Sequence, residues 1–135
     1  MTYISLSEAR RYCDWRGHGA RLPTAWEWQY AAQGTDGRLY PWGNLKNQSL
    51  YPILRDGYKN PDSEDIKAYA PQAASPFGVL DLVGNAYEYT DEFQDDHTRF
   101  VILKGGSNYR PSGSSWYFPQ ALELNTYEKY FLIIF

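Results

Sequence analysis

"RLPTAWEWQYAAQG", residues 21–34, carries the signals of a short helix with a defined beginning and end. Thr24 and Glu27 have the spacing of a capping box, in which each side chain accepts a hydrogen bond from the other residue's backbone N–H. Trp28 begins an apolar face at helical spacing, and Gly34 is a typical residue just beyond a helix end. The stretch therefore predicts a helix that buries its Trp28 face.

The segment before this helix predicts another of the same construction. Ser5 and Glu8 form a second capping-box pattern. Leu6 then starts an apolar series at helical spacing, and Gly17 ends it. Two consecutive short helices are therefore expected at the start of the chain.

Beyond Gly34 the helical period disappears, and Gly, Pro, Asn and Asp become frequent. Short strands are predicted at 86–90, 100–103 and 130–135. Much of the chain beyond Gly34 is thus expected in long loops. Long ordered loops in a compact domain are usually functional or held by ions. These features predict an irregular, loop-rich α+β fold, with two short helices on short antiparallel strands, in a single domain over 1–135.

The composition restricts the classes of partner. The 135 residues are 43% hydrophobic and 21% charged, with a net charge of −3 spread without long runs. Such a chain is expected to fold and to bind neither nucleic acid nor an anionic membrane surface. Its single cysteine, Cys13, rules out an intrachain disulfide and leaves the cellular compartment open.

Five strings in a fixed order together resemble one family. They are "TYISLSEARRYCDW" at 2–15, "RLPTAWEWQYAAQG" at 21–34, "YPWGN" at 40–44, "SPFGVLDLVGNAYEYTDEF" at 75–93 and "VILKGGS" at 101–107. The chain resembles the formylglycine-generating enzymes, or sulfatase-modifying factors. The resemblance implies a variant of the C-type lectin fold with bound calcium. Family domains are longer at both ends, so it also implies a truncated domain whose flanking sequence is missing.

The resemblance implies a calcium site in the "VGN" segment. Its ligands would be the side chains of Asp81 and Glu88 and the backbone carbonyls of Gly84 and Ala86. Mixed carboxylate and carbonyl oxygens are the ligands that Ca²⁺ takes. Spacing alone favours a tight Gly-Asn turn flanked by two exposed carboxylates, and the resemblance reverses that preference in favour of calcium.

The resemblance also indicates where the family's catalytic cysteines would lie, and this sequence has no cysteine at those positions. Family members oxidise a substrate cysteine with oxygen, using two copper-binding cysteines that follow the Gly-Gly-Ser motif. Arg110 and Ser115 occupy those two positions, and neither side chain binds the soft ion Cu(I). Copper is therefore not expected as a cofactor. We expect a non-catalytic or ligand-binding domain instead.

The loop "KGGSNYRPSGSSWYF" is then expected to line a ligand groove. Its contributing residues are Tyr109, Arg110, Ser115, Trp116 and Tyr117. Aromatic rings with hydroxyl groups suit contacts to a protein, a peptide or a small molecule.

Two alternatives stay open. The chain could be part of an oxidoreductase, either a divergent formylglycine-generating enzyme or an iron-dependent sulfoxide synthase, whose reactive residues lie outside 1–135. His18 and His97 are its only histidines, too few for a three-histidine iron site. It could also be a diversified C-type lectin-like ligand-binding protein, since residues 107–127 are rich in Tyr, Asn and Ser.

Overall fold

The computed structural model describes residues 3–52, 63–97, 99–106 and 130–132. The elements are helices α1 (Leu6–Arg16) and α2 (Ala25–Gln33), a 3₁₀ turn at Gln48–Leu50, and strands β1 (Glu88–Phe93), β2 (Val101–Lys104) and β3 (Tyr130–Leu132). The fold is thus α+β, as predicted. No helix in the described part of the chain is long and apolar enough to cross a membrane.

Helix α1 begins and ends where the sequence predicts. Ser5 is the N-cap: its Oγ accepts from the backbone N–H of Glu8 at 3.3 Å, and Oε2 of Glu8 accepts from the backbone N–H of Ser5 at 2.8 Å. At the other end Gly17 donates its N–H to the carbonyl of Cys13 at 3.1 Å. Cys13 itself is half-buried, so it contributes partly to the apolar side of the helix.

Helix α2 is capped in the same way and is also tied down by an ion pair. Thr24 Oγ1 accepts from the backbone N–H of Glu27 at 3.2 Å, and Glu27 Oε2 accepts from that of Thr24 at 2.9 Å. The Arg21 guanidinium donates to both oxygens of Glu27, at 2.7 and 2.5 Å. The hydrogen bonds from Arg21, followed by that from Thr24, lower the pKa of Glu27 to about 2. The carboxylate therefore caps the helix as an anion at neutral pH.

The three strands form one antiparallel sheet in the order β1-β2-β3. Glu88 opposes Lys104 in the register of β1 and β2, and the pairing becomes irregular towards Phe93. β1 starts two residues later than predicted, because a turn with left-handed backbone at Asn85 ends just before it. The predicted strand at 130–135 is observed over its first three residues, and 133–135 lie outside the described residues.

Two clusters of buried residues form the core of the described part of the chain. One is a buried cluster of Trp28, Ala32 and Leu82, which attaches α2 to the segment before β1. The other is centred on Leu6, Val101 and Leu103, with partly buried neighbours at Leu22, Tyr87, Tyr89 and Phe93. Leu6 of α1 packs on β2, α2 contacts both β1 and β2, and the 81–87 segment contributes Leu82 to one cluster and Tyr87 to the edge of the other.

We expect Thr24→Ala to lower the free energy of unfolding by about 1 kcal/mol, the usual cost of losing an N-cap side chain. Thr24→Ser keeps the hydroxyl and is the matched control, with a change of only a few tenths of a kcal/mol. Urea denaturation of the two variants measures the difference. Equal losses in both would show that the cap does not stabilise α2.

Candidate metal site

The segment before β1 is a compact turn built from left-handed residues. Asp81 and Asn85 both have φ of 63°, and Gly84 has φ of 73°. Asp, Asn and Gly are the residues that adopt this conformation most readily. The N–H of Gly84 donates to the carbonyl of Gly105 at 2.7 Å, which joins the turn to the residue after β2.

The side chain of Asn85 holds the turn together from inside. It is only 6% exposed. Its Nδ2 donates to the two carboxylate oxygens of Asp81 at 2.9 and 3.2 Å and to the carbonyl of Glu64 at 3.1 Å. Its Oδ1 accepts from the backbone N–H of Glu64 at 2.8 Å. Asn85 thus orients Asp81 and attaches the 63–65 segment to the turn.

Glu88 lies half-buried at the start of β1, directly against α2. Its Oε2 accepts a short hydrogen bond from the indole Nε1 of Trp28. Burial of its carboxylate raises the pKa of Glu88 to about 7; the Trp28 hydrogen bond opposes this shift and the charge of Asp81 adds to it. Glu88 is therefore not the exposed carboxylate that the alternative of a simple Gly-Asn turn requires.

Asp81 is a second half-buried carboxyl group in the same segment. Burial raises its pKa, the hydrogen bond from Asn85 opposes the shift, and the charges of Glu64 and Asp65 add to it. Two carboxylates that are desolvated and repel each other are stabilised as anions by a nearby cation. The segment therefore favours a bound cation electrostatically.

Three oxygen atoms lie near one point next to Gly105. A Cβ built on Gly105 would lie 3.4 Å from Oε2 of Glu88, 3.6 Å from the carbonyl oxygen of Leu82 and 3.7 Å from that of Ala86. We call these three atoms the oxygen cradle. Within the described ranges no group of three or more His, Cys, Asp and Glu side chains could hold a metal. A cation here would thus need main-chain carbonyls, and the mixed oxygen set fits Ca²⁺.

The four residues assigned by resemblance therefore occupy one region, in different ways. Ala86 and Glu88 contribute to the oxygen cradle, while Asp81 interacts electrostatically with Glu88. Gly84 is placed there through its bond to Gly105. The sequence did not indicate Leu82 or Gly105. Every residue has a main-chain carbonyl, and the approach of Gly105 to residues 82–88 depends on the tertiary structure.

The described stretch that precedes the predicted ligand groove ends at Gly106, and the next described residue is Tyr130. Lys104 is the last charged side chain of that stretch, and Nζ of Lys104 donates to Oε1 of Gln29 at 3.1 Å and lies 5.8 Å from the ring centroid of Trp28. The predicted groove residues Tyr109, Arg110, Ser115, Trp116 and Tyr117 lie outside the described residues.

Comparison with protein families identifies the family to which the sequence is similar. Residues 1–128 match the model of the sulfatase-modifying factor enzyme 1-like domain. The chain is 35% identical over 117 residues to the inactive C-alpha-formylglycine-generating enzyme 2 of Bos taurus, covering 79% of this chain and 38% of that protein. It is also 35% identical over 106 residues to the formylglycine-generating enzyme of Bos taurus, covering 72% of this chain and 28% of the relative.

The chain is also similar to a bacterial protein in sequence and to a solved structure in fold. The formylglycine-generating enzyme of Mycobacterium tuberculosis is 32% identical over 108 residues, with 72% of this chain and 35% of the relative covered. The crystal structure of CarF matches with a TM-score of 0.50 at 24% identity, covering 70% of this chain and 38% of CarF. The chain thus spans less than half the length of each of these proteins.

We expect Asn85→Ala to lower the free energy of unfolding by about 2–3 kcal/mol, because it removes buried hydrogen bonds and places alanine in a left-handed conformation. Asn85→Gly is the matched control, since it loses the same hydrogen bonds without the backbone strain. Its loss should be smaller by about 1 kcal/mol. Denaturant unfolding measures both, and a near-neutral Asn85→Ala would contradict the role assigned to this amide.

Proposed function

We propose a function on the basis that this chain belongs to the family of sulfatase-modifying factor enzyme 1-like domains, which its match over residues 1–128 shows. The chain is a calcium-stabilised binding domain that has lost the copper-dependent oxidation of cysteine. Its fold is the C-type lectin-like variant of this family. The oxygen cradle beside two half-buried carboxyl groups is the observation that carries the calcium part of this proposal.

Calcium would be held by Asp81, Gly84, Ala86 and Glu88. Bound calcium supplies charge neutralisation and crosslinks main-chain oxygens, and it provides no redox chemistry. Glu88 connects the site to the core, because Trp28 donates to its carboxylate and packs with Ala32. Occupancy of the site should therefore stabilise the contact between α2 and β1.

The cysteine positions carry the non-oxidising part of the proposal. The chain is equally identical, at 35%, to a relative named inactive and to a formylglycine-generating enzyme, so overall identity does not separate the two classes. Arg110 and Ser115 stand at the family's copper-binding positions, and Cys13 is the only cysteine in the sequence. Residues 1–135 therefore do not supply by themselves the pair of thiolates that Cu(I) requires here.

The proposed ligand is a protein, a peptide or a small molecule that contacts Tyr109, Arg110, Ser115, Trp116 and Tyr117. Gly105 and Gly106 lead from β2 into this segment, and both have φ of 86°. The carbonyl of Gly105 accepts a hydrogen bond from Gly84 of the candidate calcium turn. The start of the groove segment is therefore linked to that turn. Binding is thus proposed to use the wall that surrounds the active site in oxidising relatives.

We expect calcium to raise the melting temperature by several degrees and chelator to reverse the shift, because a ligand that binds only the folded state contributes about 2.7 kcal/mol at a hundredfold excess over Kd. Glu88→Gln should remove the response, since it keeps an acceptor for Trp28 but loses the charge. Glu92→Gln is the matched control on β1 and should respond like the wild type. A melting temperature that is insensitive to calcium in the wild type would contradict the site.

We also expect no oxygen consumption above background when the protein, loaded with Cu(I), meets a cysteine-containing sulfatase peptide. An active formylglycine-generating enzyme with the same peptide is the positive control. Turnover by this chain would overturn the reading of Arg110 and Ser115 and support the oxidoreductase alternative.

The positions themselves are tested by restoring the thiols. Arg110→Cys combined with Ser115→Cys should bind Cu(I) at least tenfold more tightly than Arg110→Cys alone, because two thiolates bind the ion together. Competition with a chromophoric Cu(I) chelator measures this. Equal affinities would show that the two positions do not face one another.

A further inference from the structure

We propose that the main-chain carbonyl of Leu82 is a further calcium ligand and that Gly105 is a positioning residue that keeps the ion's place open. Neither residue belongs to the ligand set that the resemblance implies. This inference rests on the calcium site proposed above. It adds a specific requirement: position 105 must have no side chain.

The geometry of the oxygen cradle motivates the proposal. The carbonyl oxygen of Leu82 and that of Ala86 lie 3.6 and 3.7 Å from the Cβ that Gly105 lacks, and Oε2 of Glu88 lies 3.4 Å from it. Leu82 is thus as close to this point as Ala86. A Ca²⁺ ion must lie within about 2.3–2.6 Å of each ligand oxygen, in space next to the missing methyl group.

Backbone conformation alone does not account for what surrounds Gly105. Gly78 has a similar φ of 78°, and a Cβ built there meets nothing within 4 Å. Gly34 has φ of 70°, and its missing Cβ faces carbon atoms of Pro76. The missing Cβ of Gly105 instead faces three oxygens from another part of the chain. Its φ explains why a glycine is favoured there, and its surroundings indicate an additional role.

Protein contacts hold the atoms of the cradle in place. The Leu82 side chain is 4% exposed within the cluster it forms with Trp28 and Ala32, which fixes its backbone. Glu88 is held by Trp28, and the carbonyl of Gly105 accepts from the N–H of Gly84 at 2.7 Å. Preorganised ligands need little rearrangement, so the cradle is suited to bind an ion of fixed size.

Carbonyl NMR on the wild-type protein tests the Leu82 ligand directly. With ¹³C-carbonyl leucine and alanine, calcium titration should move the Leu82 and Ala86 carbonyl resonances along one saturating curve. Leu39 and Leu45 are the internal controls and should stay in place. Movement of Ala86 without Leu82 would overturn this inference alone, whereas movement of neither would overturn the proposed calcium site.

A pair of glycine variants tests the role of Gly105. Gly105→Ala and Gly78→Ala introduce the same methyl at nearly the same left-handed φ, so both should lose a similar amount of stability in chelator. The contacts at 3.4–3.7 Å are ordinary van der Waals distances, so the methyl should fit in the calcium-free protein. Calcium should then stabilise Gly78→Ala as it does the wild type and stabilise Gly105→Ala little.

Isothermal titration calorimetry gives the quantitative outcome. Calcium affinity should fall at least tenfold in Gly105→Ala and stay within twofold of wild type in Gly78→Ala. Wild-type affinity in a folded Gly105→Ala would overturn the role of position 105. If that variant does not fold, the Leu82 resonance in the wild-type protein decides the inference.

Discussion

The hydrogen bond from the Trp28 indole to the Glu88 carboxylate is the contact on which the rest of the structure depends. It joins α2, through its largest buried side chain, to the first residue of β1. Trp28 also packs with Leu82, whose carbonyl faces the same place as the Glu88 carboxylate. One indole ring therefore fixes both the helix–sheet packing and two atoms of the oxygen cradle.

This arrangement concentrates negative charge in a partly desolvated place. Burial raises the pKa of both Asp81 and Glu88, and each has a carboxylate neighbour that adds to the shift. Their hydrogen bonds from Asn85 and Trp28 offset only part of the cost. A cation bound by these groups would relieve the repulsion and link the turn to the sheet. Folding stability and ion binding would then be coupled.

The contacts that define the two helices are separate from the positions that the resemblance assigns to catalysis. The residues that shape the scaffold, including both capping boxes and the Arg21–Glu27 pair, are present and make the expected contacts. Arg110 and Ser115 stand at the positions that the resemblance assigns to the copper-binding cysteines. A fold does not imply an activity, since function depends on the few residues of a site. Under the proposed function, the absence of this thiol pair removes the copper chemistry, whereas the two helix caps do not depend on it.

The two helices could be predicted from the amino-acid sequence alone. Capping boxes and terminal glycines define α1 and α2 because their hydrogen bonds join residues only a few positions apart. The start of β1 was displaced by two residues, because the left-handed turn at Asn85 has to end before pairing with β2 can begin. The cradle could not be read in this way. Leu82 and Gly105 are far apart in the chain, and main-chain oxygens are the same in every residue. The Leu82 carbonyl and Gly105 come close together only when the sheet and α2 pack. The tertiary structure therefore determines where an ion would fit.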